Sequence, residues 1–218
     1  MSHPGFFRFR HHTGNLQQAG RKIFYMFSPL IEKLPHLKDK LESYAALYQR
    51  LEVPAKTILL REGEISRRSF YIEKGCLRAW FNNKGKDTTF QFFFEQQGLS
   101  SAQSFKKNVP SIFTIEAVEP CIVQVLHKED YEMIMSDLGH DPAFCNVMME
   151  LLFERQLHYM NEFLSFIRDT PQERYLNLVE KKSYLLQRIP QHYIASYLGI
   201  TPVHLSRIRN KVMKENKK

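Results

Sequence analysis

Four side chains near the C-terminal end of the chain have types that can bond the edges of DNA bases. These side chains are Val203, Ser206, Arg207 and Asn210. Arginine can pair with two acceptors of guanine, serine and asparagine can bond base edges, and valine can contact the methyl group of thymine. Leu205, Ile208 and Val212 recur at helical spacing and are expected to face inward, which leaves the four together on the outward face. The spacing therefore predicts a helix that presents these side chains to a major groove.

The residues before this helix predict the turn that would position it. In the segment QHYIASYLGITPVHLSRIRN, residues 191–210, the small Ala195 fits where two helices cross. Gly199 supplies the backbone freedom that a tight turn needs. Thr201 followed by Pro202 is typical of an N-cap with proline at the first helical position. We therefore predict a helix-turn-helix whose second helix begins at Pro202.

The charge of this segment distinguishes it from an ordinary buried helix pair with a solvated basic face. Residues 170–218 contain ten Lys or Arg and three Asp or Glu, whereas the rest of the chain contains 21 and 20. Nearly all of the formal net charge of +8 therefore lies in this segment. Such asymmetry is typical of phosphate binding, because neutralising phosphates releases condensed counterions. The predicted phosphate contacts are Thr201, Arg209, Lys211 and Lys214.

Composition limits the remaining classes of protein. A chain of 218 residues, 43% hydrophobic and 25% charged, can bury one sizeable core and a small second domain. No apolar run is long enough to span a bilayer, and the first residues lack the hydrophobic core of a signal peptide, so we expect a cytoplasmic protein that contacts no membrane. Cys76, Cys121 and Cys145 are far apart and form no CxxC, which disfavours a disulfide scaffold or a metal site.

The hydrophobic pattern divides the first 140 residues into three parts. Residues 1–25 are polar and basic without clear periodicity, so we expect a mobile tail. Residues 27–51 have apolar side chains at helical spacing. Within residues 53–128 the period changes to two, and short strand-like runs are separated by glycine and proline turn signals. Residues 26–140 are therefore predicted to form an antiparallel β-roll, or jelly roll, with an N-terminal helix.

A long helix is predicted for residues 141–168. Asp141 and Pro142 are typical of an N-cap and a first helical position, and an apolar pattern longer than about 25 residues commonly indicates packing between molecules. We therefore predict a dimerisation helix, with packing wholly inside one subunit as the alternative. Its predicted dimer contacts are Phe144, Val147, Met148, Leu151 and Leu152. Residues 169–171 predict a break in the helix and a candidate hinge, because a proline disfavours helical geometry in the residue before it.

Three motifs occur in the order expected for one family of regulators. They are EGEISRRSFYIEKGCLRAWF at 62–81, RYLNLVEKK at 174–182 and RIPQHYIASYLGITPVHLSRIR at 188–209. Over residues 27–214 the chain resembles the Crp/Fnr family, which includes the cyclic-AMP receptor protein. The resemblance implies an α+β, homodimeric transcription regulator with an effector-binding β-roll, a dimerisation helix and a C-terminal winged helix-turn-helix. The partners it implies are double-stranded DNA, a second copy of the chain and RNA polymerase.

Two departures from the family concern its ligand and its wing. In the cyclic-nucleotide-binding members a Gly-Glu pair holds the ribose and an arginine pairs with the cyclic phosphate. This chain has Leu99, Ser100 and Ser111 at these positions, and a buried phosphate without a cation is unfavourable. We therefore expect a branch that lacks the phosphate-binding cassette and is not controlled by cyclic AMP. Only eight residues follow Asn210, so we also expect the downstream wing to be missing.

The sequence does not identify an effector, and we expect no cofactor. The aromatic run FQFFF at 90–94 has a period-two pattern that fits either an apolar pocket or plain barrel core. The candidate pocket residues are Trp80, Phe92, Ser100, Ser111 and Phe113. No histidine lies between His36 and His127, so the usual ligands of a cupin-type metal centre are missing.

Two functions fit these patterns. The first is a sequence-specific regulator that binds a palindromic DNA site as a dimer. The alternative is a ligand-sensing β-roll module whose helix-turn-helix contacts proteins rather than DNA. We do not expect an enzyme, because no acid-base pair, nucleophile constellation or metal cluster has a spacing above chance.

Overall fold

Two antiparallel sheets contain all the strands of the described residues. The computed structural model describes residues 27, 29–181 and 183–215, which belong to two compact units that divide between Leu47 and Tyr48. The strands of the second unit are β1 (Gln49–Val53), β2 (Ile58–Leu60), β3 (Arg68–Lys74), β4 (Leu77–Asn83), β5 (Lys86–Phe93), β6 (Gly98–Leu99), β7 (Thr114–Ala117) and β8 (Cys121–His127). One sheet has the order β1-β8-β3-β6 and the other has the order β2-β7-β4-β5. This arrangement confirms the predicted β-roll.

The inner faces of the two sheets form the core of the β-roll. The side chains that are completely inaccessible there are Ile72, Leu77, Ala79, Ile115, Ala117 and Val123. Within β4 and β7 these residues alternate with outward-facing ones, because successive side chains of a strand point to opposite faces. The period-two pattern of the sequence is therefore confirmed as strands.

The outer face of the sheet β2-β7-β4-β5 is covered as well. Glu116 of β7 is outward-facing yet only 6% exposed. Phe92 and Phe94 are buried in a second apolar cluster, whose other members include Ile194 and Leu198 of the helical C-terminal region. This sheet therefore lies between the β-roll core and the C-terminal helices.

The helices account for most of the remaining described residues. Residues 29–33 are helical, and the helices that follow are α1 (Lys38–Ser43), α2 (Ala102–Lys107), α3 (Lys128–Leu138), α4 (Pro142–Arg168), α5 (Pro171–Lys181), α6 (Ser183–Arg188), α7 (Gln191–Tyr197) and α8 (Pro202–Glu215). The long helix α4 has the predicted bounds, because Asp141 caps its start and the extended Asp169 ends it before Pro171. Among the described helices, none has the length and apolarity required to cross a membrane.

The predicted helix over residues 27–51 is wrong in its second half. The chain instead forms 3₁₀ turns at Pro35–Leu37 and Tyr44–Leu47 around the short α1, and the strand β1 follows. Pro35 interrupts the helix because proline lacks an amide hydrogen. β1 pairs with β8 along its whole length, and this pairing outweighs the helical pattern. The predicted mobile tail, residues 1–25, lies outside the described residues.

The described part of the C-terminal segment consists of helices joined by short turns. From Pro171 to Glu215, with residue 182 outside the description, the chain forms α5, α6, α7 and α8. No described residue of this segment belongs to a strand, so none forms a wing.

Replacing Asp141 tests the cap of α4. Its Oδ1 accepts a hydrogen bond from the amide of Phe144 at 2.9 Å. Asp141→Ala should lower the free energy of unfolding by about 1 kcal/mol in urea titrations, because it leaves this amide without its acceptor. Asp141→Asn is the matched control, since the amide oxygen of asparagine caps equally well. Equal losses in both variants would contradict the capping role.

Candidate nucleic-acid interface

The turn between α7 and α8 has a defined hydrogen-bond pattern. Gly199 follows the end of α7 with a φ of +69°, a left-handed conformation that glycine adopts without strain. The amide of Ile200 donates to Ala195 O at 3.0 Å, and the amide of Gly199 donates to Ser196 O at 3.0 Å. These are the two bonds of a Schellman motif, which satisfies the last carbonyls of the helix. The structure thus has the predicted helix-turn-helix turn at Gly199.

The start of α8 also follows the sequence prediction. Thr201 Oγ1 accepts a hydrogen bond from the amide of His204 at 3.2 Å, and Pro202 occupies the first helical position. Leu205, Ile208 and Val212 are 1%, 5% and 8% exposed and pack into the cluster shared with α7. The helix therefore buries the face that the apolar spacing predicts.

The opposite face of α8 is open to solvent. The base-reading candidates Val203, Ser206, Arg207 and Asn210 are all exposed. Among the phosphate candidates, Thr201, Lys211 and Lys214 are exposed and Arg209 is half-buried. Lys211 Nζ donates to Gln172 Oε1 of α5 at 3.0 Å, which ties one of these cations to the adjacent helix. The structure therefore presents all four base-reading candidates on one accessible surface.

The first helix of the pair, α7, lies against the edge of the β-roll. The hydroxyl of Ser196 accepts a hydrogen bond from the amide of Thr89 and donates one to Asp87 O, both at 2.9 Å. Thr89 and Asp87 belong to β5, the edge strand of its sheet, whose backbone groups would otherwise lack partners on this side. The spacing in the sequence gives no sign of this contact, because the bonded residues are more than 100 positions apart.

A buried arginine lies under the same helix. Arg78 of β4 is 2% exposed, and its guanidinium donates to Glu116 at 2.7 Å and to Thr89 Oγ1 at 3.1 Å. The centre of the Tyr193 ring from α7 lies 3.8 Å from the guanidinium carbon, and the centre of the Trp80 ring lies 4.9 Å from the same carbon. The carboxylate and the aromatic faces together compensate for the burial of the charge.

A second arginine, at the end of α6, joins the C-terminal helices to the β-roll. Arg188 donates to both carboxylate oxygens of Glu95, at 2.7 and 3.0 Å, and contacts Glu119 in the turn before β8. Its guanidinium carbon also lies 5.2 Å from the centre of the Phe94 ring. The hydrogen bond from Arg188 lowers the pKa of Glu95 from its usual value of 4.5 to about 2. This ion pair, like the Ser196 contact, was not expected from the sequence.

The structure does not bring the five candidate pocket residues together. Phe92 faces the C-terminal helices, with its ring centre 5.4 Å from that of Tyr197, and Trp80 lies beside Arg78 on the same outer face. Ser111 is buried and lies 2.7 Å from Phe113 O, while Ser100 is half-buried. Two cavities in the described part of the chain, of about 200 and 80 Å³, have only Phe92 of these five in their walls. Trp80 and Phe92 belong to strands and lie on one outer face, whereas Ser100, Ser111 and Phe113 lie in segments outside the strands.

The predicted dimer contacts on α4 divide into two groups. Phe144 and Val147 are 3% and 9% exposed, so the chain itself buries them. Met148 is half-buried, whereas Leu151 and Leu152 are 41% and 63% exposed. The other exposed apolar side chains of α4 include Met149, Phe153, Leu157, Met160, Phe163, Leu164 and Ile167. The accessible surface is therefore centred further along the helix than the predicted set.

The described residues hold no group of three or more His, Cys, Asp and Glu side chains that could bind a metal ion. Cys76 and Cys121 are both buried, free thiols. Burial raises the pKa of Cys121 to about 11 and also raises that of Cys76, so both thiols remain protonated at neutral pH.

The fold is similar to that of several solved proteins, although no family model and no curated protein matches the sequence. The c-di-GMP responsive global regulator CLP of Xanthomonas campestris has a TM-score of 0.65 and 15% identity, covering 82% of this chain and 92% of its own. FixK2 of Bradyrhizobium japonicum has a TM-score of 0.65 and 16% identity, covering 78% and 86%. A putative cAMP-binding regulatory protein of Silicibacter pomeroyi has a TM-score of 0.57 and 18% identity, covering 90% and 88%.

The chain therefore has the fold of Crp/Fnr regulators. A β-roll, a long helix and a C-terminal helix-turn-helix follow one another in the order that the sequence resemblance implies.

The ion pair of Arg188 makes stability depend on pH below neutrality. Because the folded state depresses the pKa of Glu95, the pair contributes stability above about pH 4.5 and loses it as the pH falls toward 2. In urea titrations between these pH values, Glu95→Gln should lose less stability on acidification than the wild type. Glu154→Gln, which removes an exposed carboxylate of α4, is the control. An identical pH dependence in wild type and Glu95→Gln would contradict the contribution of this pair.

Proposed function

We propose that this protein is a cytoplasmic, homodimeric transcription regulator that binds a palindromic DNA site without control by cyclic AMP. In this proposal α8 enters the major groove. The side chains that read bases are Val203, Ser206, Arg207 and Asn210. The side chains that contact phosphates are Thr201, Arg209, Lys211 and Lys214.

The observation that carries the proposal is the exposed polar face of α8. Arg207 and Asn210 project from a helix whose other face is buried, so the helix holds them in a fixed orientation. Ten of the 31 cationic residues lie between 170 and 218, which provides the charge that phosphate binding needs. The contacts that α7 makes with the β-roll leave this face free. A helix-turn-helix used only for protein contacts would not need such a cationic surface.

The exposed apolar surface of α4 supports a homodimer. Leu152, Phe153, Phe163 and Ile167 are each more than 60% exposed, and a contiguous apolar surface of this kind indicates a binding partner. A second copy is the partner that a palindromic site requires, because each half-site needs one recognition helix. In this proposal Leu151 and Leu152 from the predicted set belong to the interface, whereas Phe144 and Val147 support it from within the subunit.

The environment of Ser111 supports independence from cyclic AMP. Ser111 occupies the position of the phosphate-binding arginine, and its hydroxyl lies 2.9 Å from the hydroxyl of the buried Ser101. A cyclic phosphate there would lose its hydration without gaining a cationic partner. The fold is compatible with other effectors, since CLP is described as responsive to c-di-GMP.

Selection of bound sequences from a random DNA pool tests the proposal directly. The purified protein, at near-physiological salt and without added ligand, should enrich a palindrome whose half-site centres lie about 34–36 Å apart. Binding that weakens with salt yet recovers all sequences equally would favour the alternative, in which the helix-turn-helix contacts proteins.

Replacing Arg207 separates base reading from phosphate binding. Arg207→Ala should weaken binding to the selected site by roughly 1–3 kcal/mol and binding to random DNA much less, because a bidentate contact to guanine is lost. Lys214→Ala is the matched control, since it should weaken both by similar amounts and reduce the salt dependence by about one counterion. Fluorescence anisotropy titrations on both DNAs provide the measurement. Equal losses on the two DNAs for Arg207→Ala would assign it to the phosphates.

Replacing Phe163 tests the dimer surface. Phe163 is 64% exposed on α4, and Phe163→Glu should raise the dissociation constant of the dimer at least about thirtyfold by placing a charge in the interface. Light scattering after size-exclusion chromatography should then report a monomer at concentrations where the wild type is a dimer. Met133→Glu, which adds the same charge at an exposed apolar residue of α3, should leave the mass unchanged. A dimeric Phe163→Glu protein would exclude this surface.

A further inference from the structure

Two helix ends meet at one side chain between α4 and the helix-turn-helix. The guanidinium of Arg174, near the start of α5, donates to Asp169 O at 2.6 Å and to Phe166 O at 3.1 Å. Its other terminal nitrogen donates to Leu198 O at 2.9 Å. The first two carbonyls belong to the end of α4 and the third belongs to the cap of α7. One side chain therefore bonds both helix ends at once.

These bonds are strong for a general reason. The last carbonyls of a helix have no partner inside the helix, and they carry the negative end of its dipole. A planar guanidinium has five donors in a fixed geometry and keeps its charge at every physiological pH, so it can satisfy carbonyls from two helices simultaneously. A lysine ammonium at this position would be a single point of attachment.

Close packing strengthens the same junction. The guanidinium carbon of Arg174 lies 4.6 Å from the centre of the Phe166 ring. That ring lies directly against the turn, because a Cβ at Gly199 would be 3.0 Å from its nearest atom. Phe166 therefore fills the space between α4 and the turn, and it leaves Arg174 in contact with both helix ends.

The residues at which α4 ends are also fixed by hydrogen bonds. The amide of Thr170 donates to Glu173 Oε2 at 2.7 Å, and the amide of Glu173 donates to Thr170 Oγ1 at 3.3 Å, which together form a capping box. Asp169 accepts a hydrogen bond from Ser165 Oγ at 2.6 Å. Several hydrogen bonds therefore hold residues 169–171, the segment that the sequence predicts as a hinge, in a defined conformation.

We propose that Arg174 is a positioning residue that fixes the direction of the recognition helix α8 relative to the end of α4. The end of α4 and the helix-turn-helix then move as one body, so the two recognition helices of a dimer keep a set separation. This inference rests on the proposed function as a dimeric DNA-binding regulator. The residue touches no DNA and acts through the turn at Gly199.

Operators with altered half-site spacing test this role. The wild-type protein should prefer one half-site spacing over spacings that are one base pair longer or shorter. Arg174→Met should reduce this preference roughly five- to tenfold. Discrimination against a base change inside a half-site should stay unchanged, because the face of α8 is intact. The spacing preference of Arg174→Lys should lie between those of the wild type and Arg174→Met. Arg168→Met is the matched control, since Arg168 carries the same charge at the same junction but bonds the carboxylate of Asp169 rather than the carbonyls of the two helix ends.

Retention of the wild-type spacing preference in Arg174→Met would overturn the inference. A wild-type protein that selects no sequence would instead refute the proposed function, and hydrogen exchange then tests the junction without DNA. Arg174→Met should accelerate exchange severalfold at residues 166–169 and 198–200 while leaving Leu205 and Ile208 protected. Unchanged exchange at both helix ends, or uniform acceleration through α7 and α8, would mark Arg174 as a residue without a positioning role.

Discussion

The outer face of the sheet β2-β7-β4-β5 is the constraint on which the arrangement of the C-terminal helices depends. This face carries the rings of Phe92 and Phe94 and the guanidinium of Arg78, and leaving the rings in water would forfeit several kcal/mol of burial. α7 covers the face and provides Tyr193 and Ser196 as partners for its polar groups. α8 packs on α7, so its own outward face stays in solvent.

This covering places the β-roll in direct contact with the helix-turn-helix. Thr89 of β5 is bonded to Ser196, and Glu95 in the turn after β5 is bonded to Arg188, so a change in the shape of this region alters the energy of the contact. A ligand of the β-roll can influence α8 only by binding one arrangement of this contact more tightly than another. In the proposed role of Arg174, this junction would carry any such change to the end of α4.

The fold tolerates wide changes in sequence, whereas the chemistry of its ligand site does not. At 15–18% identity the two sheets and the long helix persist, because alternation of apolar residues and the lengths of the elements are sufficient to specify them. A phosphate-binding site depends on individual side chains, and Ser111, which the sequence resemblance aligns with an arginine, forms local hydrogen bonds here. The ligand site can therefore diverge while the fold is retained.

The sequence by itself determined the elements whose pattern is local. The period-two runs, the cap at Asp141, the turn at Gly199 and the buried face of α8 all depend on neighbouring residues, and all are present. Tertiary structure alone decided that 49–53 is a strand, because its partner β8 lies some 70 residues away. It also decided the contacts of Arg174 with Leu198 O and of Arg188 with Glu95 and Glu119, because only chain folding brings these distant groups together.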